Sequence, residues 1–309
     1  MAIDKFGRPF LKLRYIVNDE CNFFCIFCHF EGQHRRQGAF LTAEDYGFIT
    51  PIFISLGVRD FKITGGEPLL RPDLDKIVKS ITENGGVVSI TTNGYLLRKW
   101  LPKLERAGVK RLNVSLHTPD PERYGKITGM PPNVFKEVVY SLYESRKAGI
   151  DLKINAVVLR DVNTDRESVK RLVKLASELN ASLQFIELMP SGLGIEAFSQ
   201  FYEPIESIVE IVERLGGRPT GLRRELHHRP LYVLGGVVIE LIKNFNNPTF
   251  CSGCTTMRLT SDGKLKTCIY AEPSVDLTTY IKKRDREGAI YAINTALGQR
   301  EPRFKLYSS

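Results

Sequence analysis

The stretch Glu20-Cys21-Asn22-Phe23-Phe24-Cys25-Ile26-Phe27-Cys28-His29 places three cysteines within eight residues, with three and then two residues between them. The chain holds six cysteines, and the other three are Cys251, Cys254 and Cys268, separated by two and then thirteen residues. A structural metal site normally has four protein ligands, whereas a site with three keeps one position open for a reactant. Two sets of three cysteines therefore predict two metal or cluster sites at which chemistry takes place.

The length and composition of the chain indicate one large α/β domain, or a domain with an extension. It has 309 residues, and its 42% hydrophobic content is usual for a protein with a sizeable core. No stretch approaches the roughly 18–20 apolar residues that cross a membrane, and residues 1–7 lack the apolar segment of a secretory signal. We therefore expect a cytoplasmic protein. Reducing conditions there argue against three disulfides, which the even number of cysteines would allow.

The net charge of +9, from 44 Lys and Arg against 35 Asp and Glu, indicates either an anionic partner or a solvated basic surface. The basic residues are spread along the chain in short clusters such as Lys282-Lys283-Arg284. The sequence has no long basic run and no aromatic-basic RNA-binding motif. A small molecule with several phosphates fits this charge at least as well as nucleic acid does. We expect neither a nucleic acid partner nor a membrane partner.

Short β-branched or apolar runs alternate with longer segments of helical period as far as residue 188. The predicted strands are 12–17, 60–64, 87–91, 111–115, 152–159 and 182–188. The predicted helices are 42–56, 72–84, 95–107, 133–148 and 165–180. Capping residues such as Thr42 and Asp165 stand at helix starts, and Gly57, Gly108 and Gly149 follow helix ends. The chain thus alternates strand and helix over its first two thirds.

Strands that alternate with helices predict a parallel sheet built by right-handed crossovers. A doubly wound open sheet and a partial barrel have the same period, so the pattern leaves both open. The cysteine loop follows the first strand, and such folds bind their ligands at the carboxyl ends of the strands. After Pro190 the alternation stops, with a helix at 203–215, short strands at 231–234 and 237–241, and a turn at Ser261-Asp262-Gly263. We therefore expect two units, residues 1–190 and 191–309.

Three cysteines so close together fit neither a four-cysteine zinc site nor a redox pair. They favour an iron–sulfur cluster, and a structural metal ion is the alternative interpretation. With three thiolates, a 4Fe–4S cluster keeps one iron free to bind a cofactor or substrate. Thr64-Gly65-Gly66-Glu67-Pro68 follows the second strand, and glycine allows a ligand to approach the backbone closely. Thr91-Thr92-Asn93-Gly94 follows the third strand, and Asn113-Val114-Ser115-Leu116 belongs to the fourth. Together these motifs resemble the radical S-adenosylmethionine superfamily.

That resemblance implies an incomplete (βα)6 TIM-type barrel within the α/β class, and it implies roles for the matching residues. Cys21, Cys25 and Cys28 would hold the 4Fe–4S cluster that cleaves S-adenosylmethionine into methionine and a 5'-deoxyadenosyl radical. The implied cofactor contacts are Gly66 for the methionyl part, Ser115 for the ribose, Met189 near the adenine, and the backbone of Phe27 at the adenine edge.

The second triplet narrows the resemblance to the GTP 3',8-cyclase family of molybdenum cofactor biosynthesis. Further matches are Phe6-Gly7-Arg8-Pro9, Leu13-Arg14, Lys153-Ile154-Asn155, Phe185-Ile186-Glu187-Leu188-Met189 and Arg258-Leu259-Thr260-Ser261-Asp262-Gly263-Lys264. The resemblance implies that Cys251, Cys254 and Cys268 hold a second 4Fe–4S cluster, which binds the substrate and lies in an extension that closes the barrel mouth. Zinc in this triplet is the alternative. The implied contacts with GTP are Arg14, Lys62, Thr91, Lys153, Thr256 and Arg258, and Arg258 is also implied in catalysis.

Three positions depart from the bacterial-type members of the family, which carry arginine where this chain has Lys62, Gln184 and Thr256. A nucleoside triphosphate carries about four negative charges, and guanidinium binds phosphate with bidentate geometry. The three replacements therefore weaken a direct transfer of the family's GTP phosphate contacts to this chain, although Lys62 keeps the positive charge. The residues that are candidates to replace the missing guanidinium groups are Arg223, Arg224 and Arg229.

Two further features bear on the family assignment and the site. The sequence ends Arg300-Glu-Pro-Arg-Phe-Lys-Leu-Tyr-Ser-Ser309, without the Gly-Gly tail of the family, and together with Cys28-His29-Phe30-Glu31-Gly32-Gln33 this indicates a divergent, archaeal-type branch. We expect the adjacent His227 and His228 to be solvent-exposed, with an acid–base or ligand role as the alternative. We expect Trp100 to pack in the core.

The expected function is the radical rearrangement of GTP to 3',8-cyclo-7,8-dihydro-GTP, with two 4Fe–4S clusters and S-adenosylmethionine. The expected partners are GTP, an electron donor and a downstream pterin-forming enzyme, and the enzyme is expected to be a monomer or a homodimer. One alternative is a radical enzyme with an auxiliary cluster that acts on a peptide, although such enzymes often carry more than three carboxyl-terminal cysteines. The other alternative is a nucleotide- or metal-binding relative without turnover.

Overall fold

The computed structural model describes residues 1–32, 40–223 and 227–303. Its first part alternates strands with helices. The strands are β1 (Lys12–Ile16), β2 (Asp60–Thr64), β3 (Val87–Thr92), β4 (Arg111–Ser115), β5 (Asp151–Val158) and β6 (Ser182–Glu187). The helices are α1 (Ala43–Ser55), α2 (Leu74–Thr82), α3 (Leu97–Arg106), α4 (Pro121–Thr128), α5 (Val134–Lys147) and α6 (Arg166–Glu178).

The second part is less regular. Its helices are α7 (Gly194–Phe201), α8 (Glu206–Arg214), α9 (Pro248–Ser252), α10 (Thr278–Lys282) and α11 (Arg286–Gly298). Its strands are β7 (Arg218–Arg223), β8 (Arg229–Leu234), β9 (Val237–Ile242), β10 (Thr256–Leu259), β11 (Lys264–Lys266) and β12 (Val275–Asp276). Within the described ranges, every helix is too short or too polar to span a membrane.

All the strands belong to one sheet, in the order β12-β11-β10-β1-β2-β3-β4-β5-β6-β9-β8-β7. Strands β1 to β6 pair in parallel and follow the order of the chain. A doubly wound sheet reverses its strand order at a switch point, so this sequential order excludes the doubly wound alternative. β10 pairs in parallel with β1, and β9 pairs in parallel with β6, so the second part extends both ends of the sheet.

The first strands have one apolar face and one polar face, as expected from the alternation of side chains along a strand. Leu13 and Tyr15 of β1 and Phe61 of β2 are buried in the main hydrophobic core, which includes apolar side chains of the helices. Arg14 and Lys62 stand between them on the other face and line a cavity. The helices therefore cover the outer face of the sheet and leave its inner face polar.

The start of α1 shows how local sequence fixes these elements. Thr42 accepts a hydrogen bond from the Asp45 backbone N–H at 3.3 Å, and the Asp45 carboxylate accepts one from the Thr42 backbone N–H at 2.9 Å. A cap of this kind contributes about 1 kcal/mol. Lys282 and Arg284 also form ion pairs with Asp45, so the same carboxylate ties the end of α10 to α1.

The six strands predicted before residue 190 are present with bounds that differ by at most one residue, and the five predicted helices are present with bounds that differ by at most two. Trp100 is buried, as expected. The interpretation of the second part was incomplete. It omitted β7, β10 and α11, among other elements, and it started β8 two residues late. Several of these elements are only two to five residues long, too short to show a hydrophobic period.

Candidate active site

A cavity of about 980 Å³ runs along the polar face of the sheet. It is lined by inward side chains of β1 to β6 and by the loops at their carboxyl ends. All six cysteines line it, namely Cys21, Cys25, Cys28, Cys251, Cys254 and Cys268. The other predicted site residues line the same space: Arg14, Phe27, Lys62, Gly66, Thr91, Ser115, Lys153, Met189, Thr256 and Arg258. The fold thus brings every predicted site residue to one cavity.

The first cysteine loop is held in place by the end of α4, a helix that the sequence pattern did not predict. The Phe24 backbone N–H donates to the Thr128 carbonyl at 2.9 Å, and the Ile26 backbone N–H donates to the Ile127 carbonyl at 3.0 Å. Gly129 ends the helix with a φ of 69°, and a Cβ at this position would lie 2.9 Å from Phe24 Cβ. The glycine therefore allows the cysteine loop to lie directly against the helix end.

Two glycines after β2 let the next loop touch the cysteine loop. The Gly66 backbone N–H donates to the Asn18 carbonyl at 3.0 Å, and the Glu67 backbone N–H donates to the Glu20 carbonyl at 2.7 Å. A Cβ on Gly66 would lie 2.1 Å from the Glu20 carbonyl oxygen, and one on Gly65 would lie 2.2 Å from Asn18 Oδ1. Because the Glu20 oxygen is a backbone atom, it cannot move aside as a flexible side chain could. The position of Gly66 therefore requires glycine.

Glu67 links the loops that follow β2 and β3. Its buried carboxylate accepts hydrogen bonds from Thr92 Oγ1 at 2.7 Å, from the Asn93 backbone N–H at 2.7 Å and from the Leu69 backbone N–H at 3.0 Å. Burial raises the pKa of Glu67 to about 7, against the opposing effect of these hydrogen bonds. The motif around Glu67 was visible in the sequence, but this linking role follows only from the contacts.

His117, two residues beyond β4, is a buried wall residue of the cavity that was not among the predicted site residues. Its ring lies 4.6 Å from the Phe27 ring, at 66° to it. His117 Nδ1 accepts a hydrogen bond from the Val157 backbone N–H at 3.2 Å, so the proton of the neutral ring is on Nε2. Burial lowers the pKa of His117 to about 3, which keeps the ring neutral near pH 7. A single histidine after a strand gives no signal in the sequence.

Three cations form a row across neighbouring parallel strands. Arg14 of β1 is in register with Arg258 of β10 on one side and with Lys62 of β2 on the other, so the three side chains lie on one face. Burial lowers the pKa of Lys62 well below its usual range, and the nearby Arg14, Lys153 and Arg229 lower it further. Among the described residues the side chain of Lys62 forms no hydrogen bond or short ion pair. This end of the cavity therefore favours binding of an anion.

The buried carboxylate of Glu31 lies against two of these cations. Arg14 donates to Glu31 Oε1 at 3.0 Å, the Arg258 Nε atom lies 3.8 Å from Glu31 Oε2, and Thr64 Oγ1 donates to Oε1 at 2.9 Å. Burial alone would raise the pKa of Glu31, but Arg14, His29 and Arg258 lower it to about 2. Glu31 is therefore ionised and partly compensates the two guanidinium groups. No role was predicted for it.

A second buried carboxylate, Glu240 of β9, forms ion pairs with three further cations of the cavity. Its Oε2 atom lies 2.5 Å from Lys153 Nζ and 2.9 Å from Gln184 Nε2. The same oxygen lies 3.6 Å from an Arg223 nitrogen. The other oxygen, Oε1, lies 3.1 Å from an Arg229 nitrogen. Burial would raise the pKa of Glu240, but Arg229, Lys153 and Arg223 lower it to about 2. Glu240 therefore fixes the positions of three cations and of Gln184.

The second cysteine loop is held by arginines from both ends of the described chain. Arg8 donates to the Cys251 carbonyl at 2.9 Å, and Arg300 donates to the Cys254 carbonyl. Between them Asp4 accepts from Arg8 Nε at 2.8 Å and lies 3.3 Å from an Arg300 nitrogen. These contacts give a structural reason for the arginine of the Phe6-Gly7-Arg8-Pro9 motif, since its side chain reaches the loop that carries Cys251.

The prediction that both adjacent histidines are solvent-exposed is wrong. His227 is only 8% exposed, because its ring stacks on Phe250 and lies at the cysteine loop, and His228 is half-buried. Burial would raise the pKa of Cys254, but His227 and Arg300 lower it to about 5. The candidate cation Arg224 and the final residues 304–309 lie outside the described residues.

The chemistry of the first triplet fits an iron–sulfur cluster. Burial raises the pKa of Cys25, and the neighbouring Cys28 and Cys21 raise it further; burial also raises the pKa of Cys28 to about 11. Three thiolates in this loop therefore need a cation beside them, and thiolates are the usual ligands of iron–sulfur clusters. Within the described ranges, no three Cys, His, Asp or Glu side chains are grouped so as to hold a single metal ion.

Two family models divide the chain between them. Residues 15–175 match the model of the Radical SAM superfamily, and residues 181–306 match that of Molybdenum Cofactor Synthesis C. The first match includes the three-cysteine loop and the strands that carry the motifs after it. Fold and site thus define a radical SAM enzyme, which works with a 4Fe–4S cluster and S-adenosylmethionine.

Curated relatives specify the family further. The chain is 69% identical to the probable GTP 3',8-cyclase of Pyrobaculum aerophilum over 309 residues, which cover 100% of both proteins. It is 39% identical to the probable GTP 3',8-cyclase of Sulfolobus acidocaldarius, over 98% of this chain and 96% of the relative. The chain therefore belongs to the GTP 3',8-cyclase family of the radical SAM superfamily, whose role is in molybdenum cofactor biosynthesis. The predicted family is confirmed.

Solved structures of low sequence identity share the fold. Streptococcus suis SuiB bound to S-adenosylmethionine has a TM-score of 0.67 at 20% identity, over 85% of this chain and 60% of SuiB. The chain thus spans less than two thirds of the length of that protein. Native anSMEcpe with bound AdoMet has a TM-score of 0.59 at 17% identity, over 84% of this chain and 75% of the other. These likenesses concern the radical SAM fold alone.

Proposed function

We propose that this chain converts GTP to 3',8-cyclo-7,8-dihydro-GTP. The observation that carries the proposal is a single cavity that joins the two cysteine triplets and holds a group of cations. The first triplet would hold the cluster that generates the radical, and the second would hold the cluster that binds the substrate. The cations would bind the triphosphate group of GTP. The names of the full-length relatives agree with this assignment.

We assign residues 1–190 to an incomplete (βα)6 TIM-type barrel and residues 191–309 to an extension that closes its mouth. Arg14 of β1 and Gln184 of β6 line the same cavity although four strands separate β1 from β6 in the sheet, which supports a sheet that curves around the cavity. The extension supplies β9 and β10, which flank β6 and β1. It also supplies the second triplet, so it contributes a wall to the cavity.

At one end of the cavity, Cys21, Cys25 and Cys28 would hold a 4Fe–4S cluster, which when bound supplies the electron that cleaves S-adenosylmethionine to methionine and a 5'-deoxyadenosyl radical. The chain's own residues would bind and orient the cofactor. The exposed backbone of Gly66, which has no room for a side chain, would face the methionyl group. The remaining contacts assigned to the cofactor are Ser115 for the ribose, with Phe27 and Met189 around the adenine.

The charge of the cavity supports a triphosphate as the bound anion. The cations of this region that line it are Arg14, Lys62, Lys153, Arg223, Arg229 and Arg258, and the carboxylates that contact them are Glu31 and Glu240. With every cation protonated, four positive charges are left without a counter-charge among these eight side chains. That excess matches the about four negative charges of a nucleoside triphosphate. Binding of GTP would also favour the protonated form of Lys62.

Arg229 and Arg223 would replace the guanidinium groups lost at Gln184 and Thr256. Gln184 and Arg229 contact the two oxygens of the Glu240 carboxylate, at 2.9 Å and 3.1 Å, so Arg229 lies close to the position where the family's arginine is missing. The Arg229 Nε atom is buried and has no hydrogen-bond partner in the described part of the chain. An unpaired buried donor costs about 1–3 kcal/mol, and a phosphate oxygen would remove that cost.

The proposed reaction begins at the ribose. The 5'-deoxyadenosyl radical removes the hydrogen from C3', and the resulting carbon radical adds to C8 of guanine. One electron and one proton complete the product, so the enzyme needs an electron donor, and a pterin-forming enzyme would consume the product. Cys251, Cys254 and Cys268 would hold a second 4Fe–4S cluster that binds GTP. Thr91, Thr256 and the catalytic Arg258 would orient the nucleotide and exclude water.

Anaerobic incubation with S-adenosylmethionine, GTP and a reductant tests the proposal. The reconstituted protein should contain about eight irons in two clusters of four and should form the cyclised nucleotide. Cys25→Ala should abolish cleavage of S-adenosylmethionine, whereas Cys268→Ala should keep cleavage and lose GTP conversion. Formation of 5'-deoxyadenosine by the wild-type protein without consumption of GTP would overturn the substrate assignment and would favour a peptide substrate.

A further inference from the structure

A buried histidine stands beside the second cysteine triplet and has no part in the proposed reaction. His227 is 8% exposed and lines the cavity together with Cys251, Cys254 and Cys268. Its ring stacks on Phe250 with the ring centroids 4.0 Å apart and the planes at 11°. The imidazole is therefore held rigidly among the thiols.

The hydrogen bond to Phe250 determines which ring nitrogen is free. His227 Nδ1 lies 3.1 Å from the Phe250 carbonyl oxygen, and because a carbonyl oxygen only accepts, Nδ1 carries the proton. In the neutral ring the lone pair is then on Nε2. Histidines that bind metals characteristically donate their other ring N–H to a carbonyl or carboxylate in this way. His227 thus has the outer hydrogen bond of a metal ligand.

The backbone conformation and a backbone hydrogen bond hold His227 and His228 against the second cysteine loop. His227 and His228 both have positive φ, at 60° and 52°, a conformation that costs energy for residues other than glycine and that clusters at functional sites. The His227 backbone N–H donates to the Gly253 carbonyl at 3.2 Å. A Cβ on Gly253 would lie 2.5 Å from His228 Cδ2, so glycine between Cys251 and Cys254 allows the close approach of this pair.

Nε2 is therefore the ring nitrogen available to a metal ion, in a cavity that Cys251, Cys254 and Cys268 also line. Three thiolates leave one iron of a 4Fe–4S cluster without a protein ligand, and imidazole nitrogen is an established ligand of iron–sulfur clusters. We propose that His227 ligates this remaining iron through Nε2 in the nucleotide-free enzyme, and that GTP displaces it. The proposal rests on the second cluster of the proposed function. According to this proposal, His227 occupies the coordination position of the substrate on the iron until GTP binds.

Pulsed electron paramagnetic resonance of ¹⁵N-histidine-labelled, reduced protein tests the proposal without any measurement of turnover. The Cys25→Ala background removes the first cluster, so that the remaining signal comes from the second. We expect a strong ¹⁵N coupling, typical of a nitrogen bound directly to iron, that disappears when GTP is added. His227→Phe keeps an aromatic ring for the stack on Phe250 but should lose the coupling, and the matched control His228→Phe should retain it.

The possible failures are distinguishable. A protein with about four irons in the wild type, and none in the Cys25→Ala background, would overturn the second cluster and with it the proposed function. A normal second cluster that shows no strong ¹⁵N coupling, or a coupling that survives in His227→Phe, would overturn ligation by His227 and leave the proposed function intact. A strong coupling that persists in the presence of bound GTP would overturn the displacement.

Discussion

Arg14 and Arg258 are in-register neighbours on the parallel strands β1 and β10, and one carboxylate, Glu31, contacts both guanidinium groups. Two like charges held side by side repel one another, so this pair depends on its counter-charge. The arrangement also joins the two parts of the chain at the cavity, since β1 belongs to the first part and β10 to the second.

Glu31→Gln should destabilise the protein and reduce GTP turnover. The substitution leaves two guanidinium groups without their carboxylate. Loss of one partner from a buried ion pair costs about 3–5 kcal/mol, and we expect about 2–3 kcal/mol here because Arg14 is partly exposed. Urea unfolding under anaerobic conditions measures the change. The control Glu105→Gln replaces an exposed carboxylate of α3 and should leave the free energy of unfolding unchanged; equal stability of the two variants would contradict the counter-charge role.

Arg229→Gln should weaken the binding of GTP without weakening that of guanosine. A charged hydrogen bond is worth about 1.5–3 kcal/mol, which corresponds to a loss of roughly 10-fold to 150-fold in affinity. Equilibrium binding of the two ligands to the reconstituted enzyme separates the phosphate contact from the base contact. Arg214→Gln, on the exposed side of α8, is the control and should bind both ligands normally. An equal loss for guanosine and GTP would place Arg229 away from the phosphates.

Gly66→Ala and Gly47→Ala should change stability in opposite directions. The added methyl group at Gly66 would meet the Glu20 carbonyl oxygen at 2.1 Å, so the loop must shift, and the variant should lose stability and S-adenosylmethionine binding. The same substitution at Gly47, inside α1, meets no atom within 4 Å and should stabilise the helix by about 0.5–1 kcal/mol. Thermal unfolding and cofactor binding measure both effects. Normal cofactor binding by Gly66→Ala would contradict the close packing of the two loops.

Glu67 should give the stability of the protein a pH dependence. Its pKa is raised in the folded protein, from 4.5 to about 7, so the folded state holds a proton that the unfolded state has released between these values. Stability contributed by this group therefore falls as the pH rises from about 4.5 to about 7. Glu67→Gln removes the titration, and the difference in unfolding free energy between wild type and variant should vary over that range. A constant difference would show that Glu67 does not titrate there.

Much of the first part of the fold could be predicted because its strands and helices are long and regularly patterned. The alternation of Leu13, Arg14 and Tyr15 in β1 shows both the apolar outer face and the polar inner face. The second part could not be predicted in the same way. Strand β10 has four residues, and it exists because it pairs with β1 more than two hundred residues away. Such a strand depends on tertiary contacts and not on its own sequence.

Some residues of the candidate site could likewise be recognised in the sequence, and others could not. Cysteines and glycines in short motifs could be recognised because the chemistry requires fixed spacing. Glu31, His117 and Glu240 could not, because each is a single residue that gains its role only from partners distant in the chain. Glu240, for example, meets Lys153 from a strand more than eighty residues earlier. Burial of His227 likewise follows from the loop at Gly253, which no local pattern reveals.

Transfer of deuterium from substrate to cofactor tests the central claim most directly. GTP that carries deuterium at C3' of the ribose is incubated anaerobically with the reconstituted enzyme, S-adenosylmethionine and a reductant, and the 5'-deoxyadenosine is analysed by mass spectrometry. If one cavity holds both the radical source and GTP, each 5'-deoxyadenosine should gain one deuterium as the cyclised nucleotide forms. Unlabelled 5'-deoxyadenosine, with the GTP unchanged, would contradict the account.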